Sequence, residues 1–391
     1  MDKLLLIGIN TRSMVNSALK LNYEVFSTSY FSTSDFPTIK NSKSILHETE
    51  NESTGEFDKE YNPLKLLEES EEYLDIVDYI IPISGVLASD FTGKYQKYQK
   101  KILGNLDIEK VENKYKFYKE IKEEFLTPET FYVKDIDEAI EIQKSSQDKQ
   151  YIIKPNIGSG GYDTNLLDNE LNFEENSSDC DWIVQEYVDG VTLSSSVLGI
   201  KNKAKNIINS RLLTSRDFGE NNFKYVGNIL PLDEKSILTK INKPINELLN
   251  EMKEISEELI RKFRLIGSNG VDFILNDKGL YVIEVNPRLQ GTYECCQQAL
   301  GINMLEAHIK ACQNELIEIG KAEYYSYKKI IYAPTAVKYK KLELNNIYDT
   351  PYVGTITEKE EPLLTIIEKD KDFDKLNEKI KKTSEIIDKI N

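Results

Sequence analysis

The 391-residue chain is 40% hydrophobic and 30% charged, and 66 acidic against 50 basic residues leave a net charge of −16. That balance excludes general binding to nucleic acid or to an anionic membrane surface, both of which favour basic faces. No apolar run approaches the roughly 18 residues of a membrane span, MDKLLLIGIN has too short an apolar stretch for a secretory signal, and a cytoplasmic location is expected.

In chain order, LLLIGIN (4–10) is a short apolar run around Gly8 that predicts a buried parallel strand. Helical spacing follows over 12–21, then a second strand at YEVFSTS (23–29) and a further one in DYIIPISG (78–85). The polar stretch 47–62 predicts an exposed loop, and residues 1–108 read as an open α/β domain. Its first turn, GINTRS, lacks GxGxxG, so a dinucleotide site there is weakly supported. A helix is predicted over 111–124, closed by Pro128. YIIKPNIGSGG (151–161) predicts a strand running into a glycine loop, and WIVQEYVDG (182–190) another strand. A long helix is expected over about 243–264, a β-hairpin over 270–288 and helix over 301–319. Strands at 330–339 and 362–368 lead to an amphipathic helix at 373–390, whose apolar positions Phe373, Leu376, Ile380, Ile387 and Ile390 have helical spacing.

Cysteine and histidine narrow the chemistry. Cys180, Cys295, Cys296 and Cys312 form no CxxC pair, and a bridge between adjacent Cys295 and Cys296 would be strained, so reduced thiols are expected. With only His47 and His308, a histidine-based triad or multi-histidine zinc site is close to excluded. His308 reads as helix packing. Lysine is the default cation, so the six arginines (Arg12, Arg211, Arg216, Arg261, Arg264, Arg288) are candidates for places needing a planar, always-charged fork. Arg261 and Arg264 read as helix surface. Arg211 reads either as reaching a substrate or phosphate or as a satisfied surface residue. Arg12 and Ser84 read as capping or turn residues, although the strand ends they occupy are where a substrate pocket would form.

The hairpin carries the strongest chemical signal. Glu284 and Asn286 are two apart on one strand and face the same side. A three-residue loop, Asp277-Lys278-Gly279, would pair 276 with 280, 274 with 282 and 272 with 284, and would bring Asp272 to that face. A two-residue loop would slip the register and throw Asp272 to the other side. Two carboxylates and an amide oxygen on one patch suit Mg²⁺ or Mn²⁺, and the apolar flanks Phe273, Ile274, Val282, Ile283 and Val285 make unpaired acids there costly. In KPNIGSGGYDT, a strand ending in Lys154 precedes Gly158, Ser159, Gly160 and Gly161. Glycines let backbone N–H groups approach phosphates, and the lysine supplies charge.

IIKPNIGSGG, WIVQEYVDG and GVDFIL…YVIEVNPR, in that order, resemble the ATP-grasp superfamily, and SRLLT, FKYVGNILPL and DTPYVGTI resemble its predicted ATP-dependent carboligases related to biotin carboxylase. The resemblance covers about 111–315. It implies an α/β fold with α+β lobes: an N-terminal Rossmann-like domain at 1–108, a small lobe with the glycine loop at 109–190, a large lobe with the metal site at 191–325, and C-terminal strands and helix at 326–391. By position it implies Lys114 and Lys154 on ATP phosphates, the 158–161 loop closing over them, and Gln185, Glu186 and Val188 around the adenine. It implies Asp272, Glu284 and Asn286 as metal ligands, with Arg288 stabilising the acyl phosphate or tetrahedral intermediate. Thr192 stands where many relatives carry a glutamate for the ribose, so that contact is altered here or comes from elsewhere. The implied function is an ADP-forming carboxylate–amine ligase using ATP and Mg²⁺ or Mn²⁺. Its partners would be small carboxylates and amines, not nucleic acid or membrane, and a homodimer is compatible. The alternatives are a bicarbonate-using carboxylase and an ATP-binding protein without turnover.

Overall fold

The computed structural model describes residues 1–46, 51–53, 61–146, 148–158, 160–161, 163–167 and 181–389. His47, Ser159, Cys180 and Ile390 lie outside them, as does most of the predicted 47–62 loop.

The first sheet is parallel, in the order Asn41–Leu46, Tyr23–Phe31, Asp2–Gly8, Tyr79–Pro82. The chain moves outward from the first strand twice and then returns to its other side, so a topological switch point lies between Asp2–Gly8 and Tyr79–Pro82. Gly8 permits this close approach: a Cβ there would meet Ile83 Cβ and the Ser84 carbonyl at 2.9 Å. One face of the sheet packs Leu5, Ile7 and Phe26 on Leu66, Leu67 and Leu74 of two short helices, Pro63–Glu69 and Glu71–Ile76. The other packs Leu4, Leu6 and Val25, with helix Arg12–Ala18, against helices Tyr293–Leu300 and Met304–Cys312.

The second sheet has eight strands and runs without a break from the hairpin to the C-terminal strands Tyr325–Tyr332 and Pro362–Asp370. One face is covered by helix Ile245–Lys262, whose Leu248, Met252 and Leu259 join a core with Leu193, Val197 and Phe273. The amphipathic helix Phe373–Asp388 covers the same face further along, with Leu376 and Ile380 against Ile229 and Tyr327. A four-stranded antiparallel sheet, in the order Thr130–Val133, Trp182–Glu186, Tyr151–Pro155, Asn165–Leu166, stands over the opposite face, part of which the helices Tyr293–Leu300 and Met304–Cys312 cover.

Four expectations are corrected. The strand expected over 330–339 is two strands, Tyr325–Tyr332 and Val337–Lys338. The helix predicted over 111–124 is two helices, Glu109–Glu112 and Lys114–Ile121, because Asn113 leaves helical geometry and its side chain caps the second by accepting from the Lys116 N–H at 2.8 Å. The helix predicted over 301–319 is Met304–Cys312 alone. Gly301, left-handed at φ 67°, ends the helix before it, and Asn303 caps its start. The hairpin loop holds two residues, Asp277 and Lys278, with Asn276 opposite Gly279. The register slip that this implies is undone by a bulge: Phe273 pairs with Val282 and Asp272 with Glu284, leaving Ile283 as the extra residue.

Candidate active site

A cleft of about 460 Å³ lies between the small sheet, the helix-free part of that face of the large sheet and the switch point of the first sheet. A row of directly paired residues runs along this face, Asp272 opposite Ser194, Ser194 opposite Ser210, and further along Leu212 opposite Asn228 and Asn228 opposite Lys328; of these Asp272, Ser194, Leu212 and Lys328 line the cleft. Period-two alternation keeps this row on one face while Phe273 and Leu193 point into the core.

The bulge gathers the three predicted oxygen donors. Asn286 Nδ2 donates to Asp272 Oδ2 at 2.9 Å and to Glu284 Oε1 at 3.4 Å, and the Ser194 hydroxyl donates to Asp272 Oδ1 at 2.6 Å. Arg288 adds an Nη2–H to Asn286 Oδ1 at 3.3 Å. Burial and the neighbouring Glu284 carboxylate push Asp272 well above the usual carboxylate range. Burial acts in the same sense on Glu284, but Lys114, Lys154 and Arg288 outweigh it and hold that carboxyl below its ordinary value. Two adjacent acids, one of them held against ionisation, fit a divalent cation that would relieve the repulsion. Among the described residues no three His, Cys, Asp or Glu side chains stand together for a metal; the third donor here is the amide of Asn286.

Two lysines face these donors. Lys154 is the penultimate residue of strand Tyr151–Pro155 and is 7% exposed. Burial, assisted by the like charge of Lys114 and opposed by Glu284, pushes its ammonium down to about 8. Lys114 reaches the Gly158 carbonyl at 2.6 Å and Glu284 at 3.8 Å. Asn156 fixes the two lysines side by side: its carbonyl accepts the Lys114 N–H at 3.0 Å, and its side chain accepts the Tyr115 N–H at 3.0 Å. The described part of the glycine loop folds over the cleft. The Tyr225 N–H donates to the Gly160 carbonyl at 3.0 Å, and Gly161, at φ +74°, packs so tightly on the Phe223 carbonyl that no Cβ fits.

At the far end from the switch point, Gln185, Glu186, Tyr187 and Val188 line the cleft beside Ile152 and Ile274. Gln185 is buried and donates to the Thr130 hydroxyl at 2.9 Å; Glu186 pairs with Lys149 at 3.2 Å. Thr192 also lines the cleft, yet its hydroxyl donates to the Leu212 carbonyl at 3.0 Å and accepts from Arg211. Arg211 is therefore a buried structural residue: it binds the Thr192 and Leu212 carbonyls at 2.6 Å, pairs with Asp217, and does not line the cleft. Arg216 likewise lies outside the lining, 5.2 Å from the ring centres of Tyr187 and Phe223.

At the switch-point end, Asn10, Arg12, Ser13, Ile83 and Ser84 join Glu294, Lys328 and Asp349. Arg12 is no simple cap: its side chain is 3% exposed and paired with Asp349 at 2.7 Å, Glu294 at 2.9 Å and Asp35 at 3.4 Å. In the sequence nothing marks Glu294 or Lys328, and Asp349 stands out only as the first residue of DTPYVGTI, with no role attached. The scarcity of arginine flagged Arg12 itself, but nothing local announces partners 282 and 337 residues away. Ser84 lines the cleft, and His308 is packed as expected, between the Ser268 N–H and the Leu103 carbonyl. Cys295 and Cys296 are buried free thiols, pushed by burial up to about 12 and about 11, and Cys312 is free as well.

A strand-borne oxygen trio facing two lysines and a glycine loop, between a small and a large sheet, defines an ATP-grasp architecture. The profile of the ATP-grasp domain family matches residues 111–292. An uncharacterized protein of Methanocaldococcus jannaschii is 31% identical over 379 residues, 94% of this chain and 88% of that protein. The tyramine–L-glutamate ligase of the same organism is 29% identical over 280 residues, 71% of this chain and 72% of the ligase. Among solved structures, the carboxyaminoimidazole ribonucleotide synthase of Aspergillus clavatus complexed with ATP superposes with a TM-score of 0.72 at 13% identity, covering 100% of this chain and 99% of that one. The chain belongs to the ATP-grasp family. No described helix is long and apolar enough to cross a membrane.

Proposed function

We propose that the protein is an ADP-forming carboxylate–amine ligase. The observation that supports this best is that Asp272, Glu284 and Asn286 share one patch with Arg288, Lys114 and Lys154, midway along a cleft with an apolar end and a charged end. The adenine lies at the apolar end, with Gln185 and the main chain of Glu186 and Val188 as its polar partners. Lys114, Lys154 and the 158–161 loop hold the phosphates. The trio would hold Mg²⁺ or Mn²⁺, which when bound supplies charge neutralisation for the phosphates.

A substrate carboxylate oxygen attacks the γ-phosphorus, the bond to the β-phosphate oxygen breaks, and ADP leaves. The amine nitrogen then attacks the acyl carbon, and the bond from that carbon to the phosphate oxygen breaks. Of an ammonium's three protons, one stays on the amide, one leaves with phosphate and one passes to solvent. The protein's own contribution is positioning and electrostatic stabilisation. Arg288, beside the trio, stabilises the charge that develops on the transferring group, and the latched glycine loop keeps water from the acyl phosphate. The test is ADP release with pooled carboxylates and pooled amines: dependence on both is expected, whereas dependence on bicarbonate alone, or binding of nucleotide without release, would replace this reading.

A further inference from the structure

The charged end of the cleft lies outside the residues matched by the family profile on one side and beyond them on the other: Arg12 precedes 111, and Glu294, Lys328 and Asp349 follow 292. Four segments meet there. Arg12 opens the helix after the first strand, Asp35 follows the second strand, Glu294 begins helix Tyr293–Leu300, and Asp349 follows strand Ile347–Tyr348. The Arg12 guanidinium lies 5.0 Å from the Tyr348 ring centre; its side chain is 3% exposed against 14% for Glu294 and 17% for Asp349, and all three line the cleft, so a ligand there finds more carboxylate than guanidinium surface.

Burying ions costs several kcal/mol each, so such a network is poor as a stability device and is better explained by positioning or specificity. Its charges do not cancel. Arg12 faces three carboxylates, and a second cation that lines the cleft, Lys328, stands 3.6 Å from Glu294. These five groups together carry one excess negative charge. Asp35 is occupied by the Asp349 and Thr350 N–H groups at 3.1 and 3.2 Å. Asp349 receives Arg12 and Asn10, each at 2.7 Å, on Oδ1. No described hydrogen bond reaches its Oδ2. Asp349 stays ionised, held down to about 2 by Arg12 against its burial; it is a poor base but a durable counter-ion. The excess charge therefore faces a cavity continuous with the patch where an acyl phosphate would form.

Resting on the ligase reading above, we infer that Arg12 is a positioning residue for the amine substrate: it fixes Glu294 and Asp349 as the pair that receives the ammonium of an incoming primary amine. A cation there completes the charge balance of the cluster, and the amine is delivered beside Arg288. Arg12 acts through the two carboxylates; removing it frees both to turn toward other partners.

Binding and turnover separate the two claims. With Mg-ADP present, thermal shift is read for n-butylamine, 1,4-diaminobutane and the uncharged 1-butanol. The wild type is expected to be stabilised by the amines and not by the alcohol. Arg12→Ala should weaken the amine response at least ten-fold more than it weakens that to Mg-ADP, with low-millimolar guanidinium restoring it and Arg12→Lys falling between. Should Arg12→Ala fail to fold, Asp349→Asn keeps the shape and should show the same selective loss. Equal responses to butanol and butylamine, or unchanged amine responses in both variants, would overturn the inference. Arg12-dependent amine binding without ADP release from any carboxylate–amine pool would keep the inference and sink the ligase reading.

Discussion

At the scale of single residues, the site is held in tension by its own charges. Asp272 is raised above the carboxylate range, first by burial and then by Glu284. A folded pKa raised above its unfolded value means that the folded state takes up protons, so Asp272 costs stability as the pH rises from about 4 through neutrality, whereas Glu284, held below its ordinary value, acts in the opposite sense at lower pH. Asp272→Asn keeps an acceptor for the Ser194 hydroxyl and removes the repulsion. Its nucleotide-free melting temperature at pH 8 should equal or exceed that of the wild type, while turnover falls by at least about 100-fold. Glu284→Gln should abolish turnover with the fold intact by circular dichroism; wild-type rates in that variant would contradict the assignment. Lys154 gives a pH signature. Below its value of about 8 the ammonium is already charged when a polyphosphate arrives, whereas above it binding must take up a proton. Mg-ADP affinity should therefore fall by up to about ten-fold per pH unit above 8, and a flat profile to pH 9.5 would show that Lys154 does not meet the phosphates.

At the scale of elements, period-two spacing placed Glu284 and Asn286 on one face in the sequence, and Asp272 joins them in the structure. The means was not legible. A two-residue turn and a bulge at Ile283 reach the pairing that a three-residue turn alone would have reached. A bulge of this kind has no composition of its own, since any residue can be the extra one. The broken helices were hidden for a related reason: Asn113 and Gly301 interrupt otherwise good helical spacing by capping and left-handed geometry, which are local effects that periodicity averages over. His308 ties elements together in a way helix packing alone does not convey. Its Nδ1 accepts the Ser268 N–H at 2.9 Å and its Nε2 faces the Leu103 carbonyl at 3.1 Å, which fixes the neutral form with the proton on Nε2. Burial holds it down to about 4. A depressed histidine adds stability that is present above its unfolded value near 6.5 and drains away as the pH falls toward 4, on the order of 3 kcal/mol in all. Denaturant midpoints should drop across that window in the wild type and drop less in His308→Gln; parallel curves would place the acid sensitivity elsewhere.

At the scale of the whole molecule, three sheets converge on one cleft, and each brings a different chemistry: the small sheet its lysine and loop, the large sheet its oxygen trio, the first sheet its switch point. The first two are legible in sequence because each is carried within a short contiguous motif. The third is not, because Arg12 and Asp349 are 337 residues apart and only the folded chain makes them neighbours. The net charge of −16 does not oppose a polyanionic substrate. Exposed charges are screened beyond about 8 Å, while Lys114, Lys154 and Arg288 line the cleft itself. The central claim is that this cleft transfers the γ-phosphoryl group of ATP to a carboxylate before any amine takes part. Positional isotope exchange reads that step alone, using ATP labelled with ¹⁸O in the β,γ bridge, pooled carboxylates and no amine. Movement of label from the bridge to non-bridging β-phosphate positions that requires carboxylate and vanishes in Glu284→Gln is predicted; tightly bound ATP whose label stays in place, or moves only with bicarbonate, would contradict the account.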